Sequence, residues 1–314
     1  MKNSNKNTKT GGNVTKSILA VLAASLLYGI MPIFVKELLR EGMRSECIVA
    51  WRFGTALIIC AVIVWAKGYP VRISPKQAVT SAAAGILGFG LTASLLAASY
   101  NNISVGLATM LHFSYPLFVL LYECVIEHKK IGLLRMVSVI FIVSGLALMI
   151  DLSASNGNVW KGTLCALLSG ISYAYYVLAN RKSSLAQMNS FSSMLYILLF
   201  GSAFFIGKTT IKNTFSLPPT LRSWILAVSL GFFCTVLALY FLIYGIRNLG
   251  ASNASLLNVA EPLTSLFAGI IVYQDVLDWK MGLGCALIIT AVALISISGT
   301  RTDQNRKERI ADDN

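Results

Sequence analysis

Apolar residues in this chain fall into long blocks separated by short polar connections, and the blocks recur from residue 17 to residue 298. Each block is about 18 residues or more, enough to cross a hydrocarbon layer of ~30 Å as a helix. The pattern predicts ten spans, at 17–36, 46–66, 77–98, 104–126, 131–151, 160–180, 191–208, 223–246, 251–273 and 279–298. Backbone polar groups in lipid need partners within their own segment, so the spans are expected to be helices. A strand barrel would show ~10-residue alternating segments instead. The connections leave no room for a separate soluble domain. Lys16 and the following "SILAVLAAS" have the form of a cleavable leader. The apolar run continues to Val35, however, so residues 17–36 read as a retained span.

The polar positions repeat. "GLATMLHFSYPLFVLLY" begins at Gly106 and "SNASLLNVAEPLTSLFA" at Ser252, pairing Ala108 with Ala254, Leu111 with Leu257 and Pro116 with Pro262. Upstream in the same register Gly85 falls on Gly231 and Asn102 on Asn248. One residue less aligns the runs at Leu19 and Leu164, which places Tyr28 on Tyr173. The expected organisation is a first five-helix repeat over 16–152 and a second over 160–299, with disordered tails at 1–15 and 300–314. Five is odd, so the second copy runs through the membrane upside down relative to the first. Inverted repeats of this kind build alternating-access transporters, with the site near the midplane. The fold class is therefore all-α integral membrane, ten transmembrane helices as two inverted five-helix repeats.

Composition agrees, with a mean hydropathy of +0.70 and only 12% charged residues. The net charge of +13 could suggest nucleic acid, but its distribution argues against that. With the amino terminus inside, inner segments hold about twice as many of the 26 Lys and Arg as outer ones. That is the positive-inside rule, and it places both termini in the cytoplasm. The outer loop 209–222 fits least, being more basic than the rule prefers. The six cysteines lie in or at spans without ligand spacing and read as packing residues. No metal or other cofactor is expected. No nucleotide-binding, metalloprotease or nucleophile-elbow motif occurs, so nothing points to an enzyme.

Ionisable residues inside a span cost ~2.5–3.5 kcal/mol each at the centre and so point to function. Glu261, at mid-span directly before Pro262, must face a wet cavity, pair with a cation or carry a proton. It reads either as a substrate ligand and proton-coupling group or as a carboxyl that stabilises a bend. Its repeat mate is Tyr115, before Pro116. His112 and its mate Asn258 lie a turn earlier, and 112 shares a helix face with 115 as 258 does with 261. Tyr28 and Tyr173 lie past mid-span, where an interfacial aromatic belt does not explain them; an aromatic cavity suits amphipathic organic solutes. The candidate substrate-binding set is Tyr28, Tyr173, His112, Tyr115, Asn258 and Glu261, with Glu261 and His112 the candidates for proton coupling. Arg52 reads as structural, snorkelling or bonding helix ends. Glu123 reads the same way, contacting Lys129 or Lys130 together with Glu127.

"YPLFVLLYECVIEHKK" at Tyr115–Lys130 and "EPLTSLFAGIIVYQD" at Glu261–Asp275, with Arg52 in "AWRFGTALI", resemble the EamA type of the drug/metabolite transporter superfamily. There each repeat's fourth span carries a Pro, followed about eleven residues on by an acidic residue; Pro116 to Glu127 fits and Pro262 to Asp275 fits loosely. The second copy departs with "YQDVLD" where Gly-Glu is usual. The resemblance, over roughly 16–300, implies a cavity lined by spans 1, 3, 4, 6, 8 and 9, and dimer contacts through spans 5 and 10. Function is then expected to be export of a small organic metabolite such as an amino acid across the plasma membrane, with the bilayer and a homodimer partner as contacts. The alternatives are a membrane sensor or scaffold on the same fold, or an importer of a metabolite or drug-like cation.

Overall fold

A computed structural model describes residues 14–100, 102–103, 108, 111–128, 132–148, 158–273, 279–280 and 282–294. The two tails, Lys129, Lys130 and the Asp275 loop lie outside the described residues. Among the described residues, ten helical spans follow one another. The first is Val14–Gly29 and, after a break at Ile30, Met31–Arg40; the second is Ser45–Ala66. The third joins Pro75–Ala83 to Leu91–Tyr100 through a π-helical stretch, Ala84–Gly90. The fourth, fifth and tenth are shorter as described, at Tyr115–Val125, Leu133–Leu148 and Gly282–Leu294. The sixth is Val159–Lys182 and the seventh Ser190–Ile211. The eighth joins Leu221–Gly231 to Ala238–Leu249 through a second π stretch, Phe232–Leu237. The ninth is split into Ala251–Leu257 and Ala260–Tyr273.

The repeat is visible atom by atom in the third and eighth spans. Each opens on a capping box: Ser74 Oγ accepts from the Gln77 amide at 3.2 Å, and Thr220 Oγ1 accepts from the Ser223 amide at 3.0 Å. Each then reaches its paired glycine and its π stretch. A Cβ on Gly85 would lie 2.6 Å from the Ile197 carbonyl oxygen and 3.2 Å from the Gly201 amide nitrogen, both in the seventh span. A Cβ on Gly231 would lie 2.1 Å from Thr55 Oγ1 and 3.0 Å from the Ala56 amide nitrogen, in the second. Thus the third span packs on the seventh as the eighth packs on the second. The larger contacts obey the same exchange, since the first span packs on the eighth and ninth, and the sixth on the third and fourth. Lipid supplies no hydrophobic drive between helices, so close backbone approach at small residues supplies the packing instead. The fifth and tenth spans meet the same way, where a Gly145 Cβ would lie 2.7 Å from the Gly284 carbonyl oxygen.

Contacts between the repeats also close both ends of the bundle. At the end reached by Arg40, the carboxylates come from the first repeat and the cations from the second. Arg222 binds Glu37 at 2.7 Å and Glu41 at 3.1 Å, and Lys212 binds Glu46 at 3.0 Å. The Thr220 hydroxyl donates to Glu41 at 2.6 Å and, with Arg222, holds that carboxyl below its ordinary range. Glu41 therefore stays ionised on acidification until the pH falls through that lowered value. Trp51 Nε1 donates to the Ser216 carbonyl at 2.8 Å, and its ring packs edge-on to Trp224.

At the opposite end Lys182 pairs with Glu127, and Arg135 donates to Asn253 Oδ1 at 2.8 Å. Glu123 is buried there. Arg247 donates to the Leu185 carbonyl at 2.7 Å, the Met188 carbonyl at 2.6 Å and Ser190 Oγ at 3.0 Å, pinning the connection between the sixth and seventh spans. Hydrogen bonds from a charged donor contribute about 1.5–3 kcal/mol each. Arg247→Ala is therefore expected to speed amide exchange over 183–190 by about tenfold or more while the spans hold their protection. Unchanged exchange there would show that the connection is held by its own packing.

Candidate functional site

Three prolines build the centre of the bundle. Proline has no N–H, so the carbonyl four residues earlier loses its helical partner and the helix breaks or bends. Pro32, Pro116 and Pro262 do this to Tyr28, His112 and Asn258 respectively. The first span breaks at Ile30, the fourth turns at 113–114, and the ninth turns at 258–259. The fourth and ninth spans were expected to be continuous; the structure interrupts both, because each proline withholds a hydrogen bond at mid-depth. Discontinuous helices of this kind present polar groups to a central site in transporters.

Around these breaks runs a chain of polar contacts that joins the repeats. Asn258 Nδ2 donates to the Tyr115 hydroxyl at 3.1 Å and to Glu261 Oε2 at 3.2 Å. Tyr115 donates onward to the Ser255 carbonyl at 3.3 Å. Ser25 Oγ lies 3.1 Å from Asn258 Oδ1 and 3.0 Å from the Val21 carbonyl oxygen, so its single proton serves one or the other. In the other half, His112 Nδ1 lies 3.0 Å from Ser169 Oγ. The two halves correspond: first span to ninth through Ser25 and Asn258, sixth span to fourth through Ser169 and His112. Tyr115 and Asn258 are buried, whereas His112 and Glu261 remain half-buried.

Aromatic rings enclose this chain. Tyr173 meets Tyr115 edge-on at 4.7 Å between centroids, His112 at 5.5 Å and Tyr176 at 5.6 Å. Phe89, within the π stretch of the third span, meets Tyr176 at 5.0 Å. Tyr28 is only 5% exposed, yet its hydroxyl has no hydrogen-bond partner among the described residues. Arg52 reaches the π stretch of the eighth span, donating from Nε to Thr235 Oγ1 at 2.8 Å and from Nη2 to the Cys234 carbonyl at 3.1 Å. An apolar cleft between the fourth and fifth spans, lined by Phe113, Pro116, Val139, Ile142 and Leu146, contains none of these polar groups.

The structure thus brings His112, Tyr115, Tyr173, Asn258 and Glu261 into one connected cluster. Tyr28 lies on the first span, which packs on the ninth span that carries Glu261 and on the π stretch that holds Arg52. Sequence reasoning missed Ser25 and Ser169, which bond the two central polar mates. A signal existed, since Ser25 lies one turn before Tyr28 and aligns with Gly170, next to Ser169. It also set Arg52 aside, and the π stretches had no sequence signature.

A family model described as the EamA-like transporter family matches residues 15–151 and again 160–297. An "Uncharacterized transporter" of Helicobacter pylori strain J99 is 26% identical over 287 residues, covering 88% of this chain and 93% of its own. The "Uncharacterized inner membrane transporter YedA" of Escherichia coli K12 is 22% identical over 285 residues, covering 88% and 90%. A solved crystal structure at 17% identity superposes with a TM-score of 0.77 over 92% of this chain and 99% of its own, a likeness of fold alone.

Proposed function

The chain belongs to the EamA-like transporter family, and from that premise we propose that it exports a small organic metabolite, such as an amino acid, by alternating access with proton coupling. The observation that supports this reading is the polar chain across the repeat boundary. Tyr115 comes from the first repeat, Asn258 and Glu261 from the second, and all sit at helix breaks in mid-bundle. The membrane is the plasma membrane, by analogy with the Escherichia coli relative, which is named as an inner membrane transporter. Both termini are cytoplasmic by the positive-inside rule.

Under that topology the end closed by Arg222 and Lys212 faces outward. The excess basic charge of loop 209–222 and its flanks then has a physical reason. Lys212 and Arg222, with Lys208 3.7 Å from Glu46, answer carboxylates on the first repeat. Rocking of the repeats 16–152 and 160–299 would open one end while the other stays shut. The Ser25–Asn258 and Ser169–His112 contacts are the matched central points about which this exchange turns.

The test is a flux panel of amino acids, nucleosides and cationic drugs in proteoliposomes, with and without an imposed pH gradient. At least one solute is expected to move faster than in empty vesicles, and the gradient is expected to change its rate. Flux of a solute that ignores the gradient would remove the coupling. No flux of any solute across several panels would favour a sensor or scaffold on this fold.

A further inference from the structure

Three polar groups in mid-bundle have hydrogen-bonding capacity left over. Arg52 uses Nε and Nη2 on the eighth span, and Nη1 makes no bond among the described residues. Glu261 uses Oε2 on Asn258, and Oε1 makes none. The Tyr28 hydroxyl is buried without a partner among the described residues. Helix packing brings the segments that hold these groups against the first span. The first span, carrying Tyr28, packs both on the π stretch that holds Arg52 and on the ninth span that carries Glu261. Beside Tyr28, a Gly29 Cβ would lie 2.9 Å from the Glu261 carbonyl oxygen, and Ser25 reaches the Asn258 that holds the Glu261 carboxylate.

Arg52 and Glu261 do not form an ion pair within 4.0 Å. Opposite charges in a membrane interior relieve their cost by pairing. Here the Thr235 hydroxyl and the Cys234 carbonyl hold the guanidinium on the eighth span, while Asn258 holds the carboxylate on the ninth. The two charges are therefore held on different helices by separate partners. A simple cation would satisfy Glu261 and leave Arg52 unanswered. A simple anion would do the reverse, and a neutral solute would answer neither.

We propose that Arg52, Tyr28 and Glu261 form a zwitterion site: Arg52 Nη1 receives a carboxylate, Glu261 an ammonium, and the Tyr28 hydroxyl bonds between them. A guanidinium is suited to carboxylate geometry. The adjoining rings of Tyr115, Tyr173 and Phe89 offer faces and edges to the rest of the solute. The site deepens the transporter reading and rests on it for its role in flux, but it can be measured as binding alone.

The test uses the full chain in nanodiscs and two probe series read by titration calorimetry: L-phenylalanine, phenethylamine and 3-phenylpropionate; and L-alanine, ethylamine and propionate. In at least one series the zwitterion is expected to bind at least tenfold tighter than either one-charge analogue. Arg52→Gln is expected to weaken the zwitterion at least tenfold and leave the amine within twofold, with Arg52→Lys recovering part of the loss. Glu261→Gln should reverse this, sparing the carboxylate. Equal binding within both series overturns the proposal. So does an Arg52→Gln loss shared equally by zwitterion and amine, which assigns Arg52 to packing of the eighth span. Flux of a nucleoside or a drug cation with no zwitterion binding overturns the site and leaves the transporter standing. The expected charge dependence of binding with no flux of any solute does the opposite.

Discussion

Glu261→Gln in the full chain is expected to cut proteoliposome flux by on the order of 100-fold and to erase its response to a pH gradient. Losing one partner of a buried charge contact costs about 2–5 kcal/mol, and each 1.4 kcal/mol is tenfold. The substitution keeps the shape of the side chain, and an amide oxygen can still accept from Asn258 Nδ2, now 3.2 Å from Oε2. What it removes is the charge and the capacity to carry a proton. The effect on folding should run the other way, because a neutral amide is cheaper than a carboxylate to place in a membrane. Folded yield in detergent should hold or rise while flux collapses. That opposition separates a transport residue from a structural one. If yield and flux fell together, Glu261 would be a bend-stabilising carboxyl; if flux kept its pH response, the proton would travel elsewhere.

How much of this could be read from residues alone depended on the length scale of the signal. Span count and inversion were legible because bilayer thickness imposes a block length that any apolar run must meet. The cluster of His112, Tyr115, Asn258 and Glu261 was legible because polar residues in such blocks are costly and because the repeat placed them in pairs. The helix breaks were half legible. Pro262 was noted, but the same four-residue relation ties Pro32 to Tyr28 and Pro116 to His112. Applied three times, it would have led to the site directly. The rest is tertiary. No local pattern says that Ser25 meets Asn258 at 3.1 Å or that Arg52 meets Thr235. The π stretches depend on one extra residue per turn, which shifts no apolar periodicity enough to see. The basic loop near Arg222 departed from a charge rule, and its reason was acidic residues some 180 positions away.

Gly245→Ala is expected to destabilise the chain by about 1–3 kcal/mol, the usual cost of overpacking a filled interior, and Val21→Ala to restore most of it. The added Cβ would lie 2.1 Å from Val21 Cγ2, at the interface of the first and eighth spans. Once that methyl is removed, the next atoms stand at 3.5 Å for Val21 Cβ and 3.6 Å for the Ser17 carbonyl oxygen, ordinary contact distances. Val21 is fully buried, so Val21→Ala alone should also destabilise by opening a cavity. The double variant should therefore be more stable than the sum of the singles predicts, a coupling readable as shifted melting midpoints in detergent. Gly29 provides the contrast. Its Cβ would meet Thr264 Cβ at 2.3 Å and the Glu261 carbonyl oxygen at 2.9 Å, atoms that no truncation to alanine removes. Gly29→Ala should resist rescue by Thr264→Ala and should displace the ninth span at the backbone of Glu261, impairing flux as well as stability. Equal rescue at both glycines would mean that the first span shifts freely against its neighbours. Rescue only at Gly245 would establish that the two repeats meet along a fixed seam, with Tyr28 and Glu261 held at its middle.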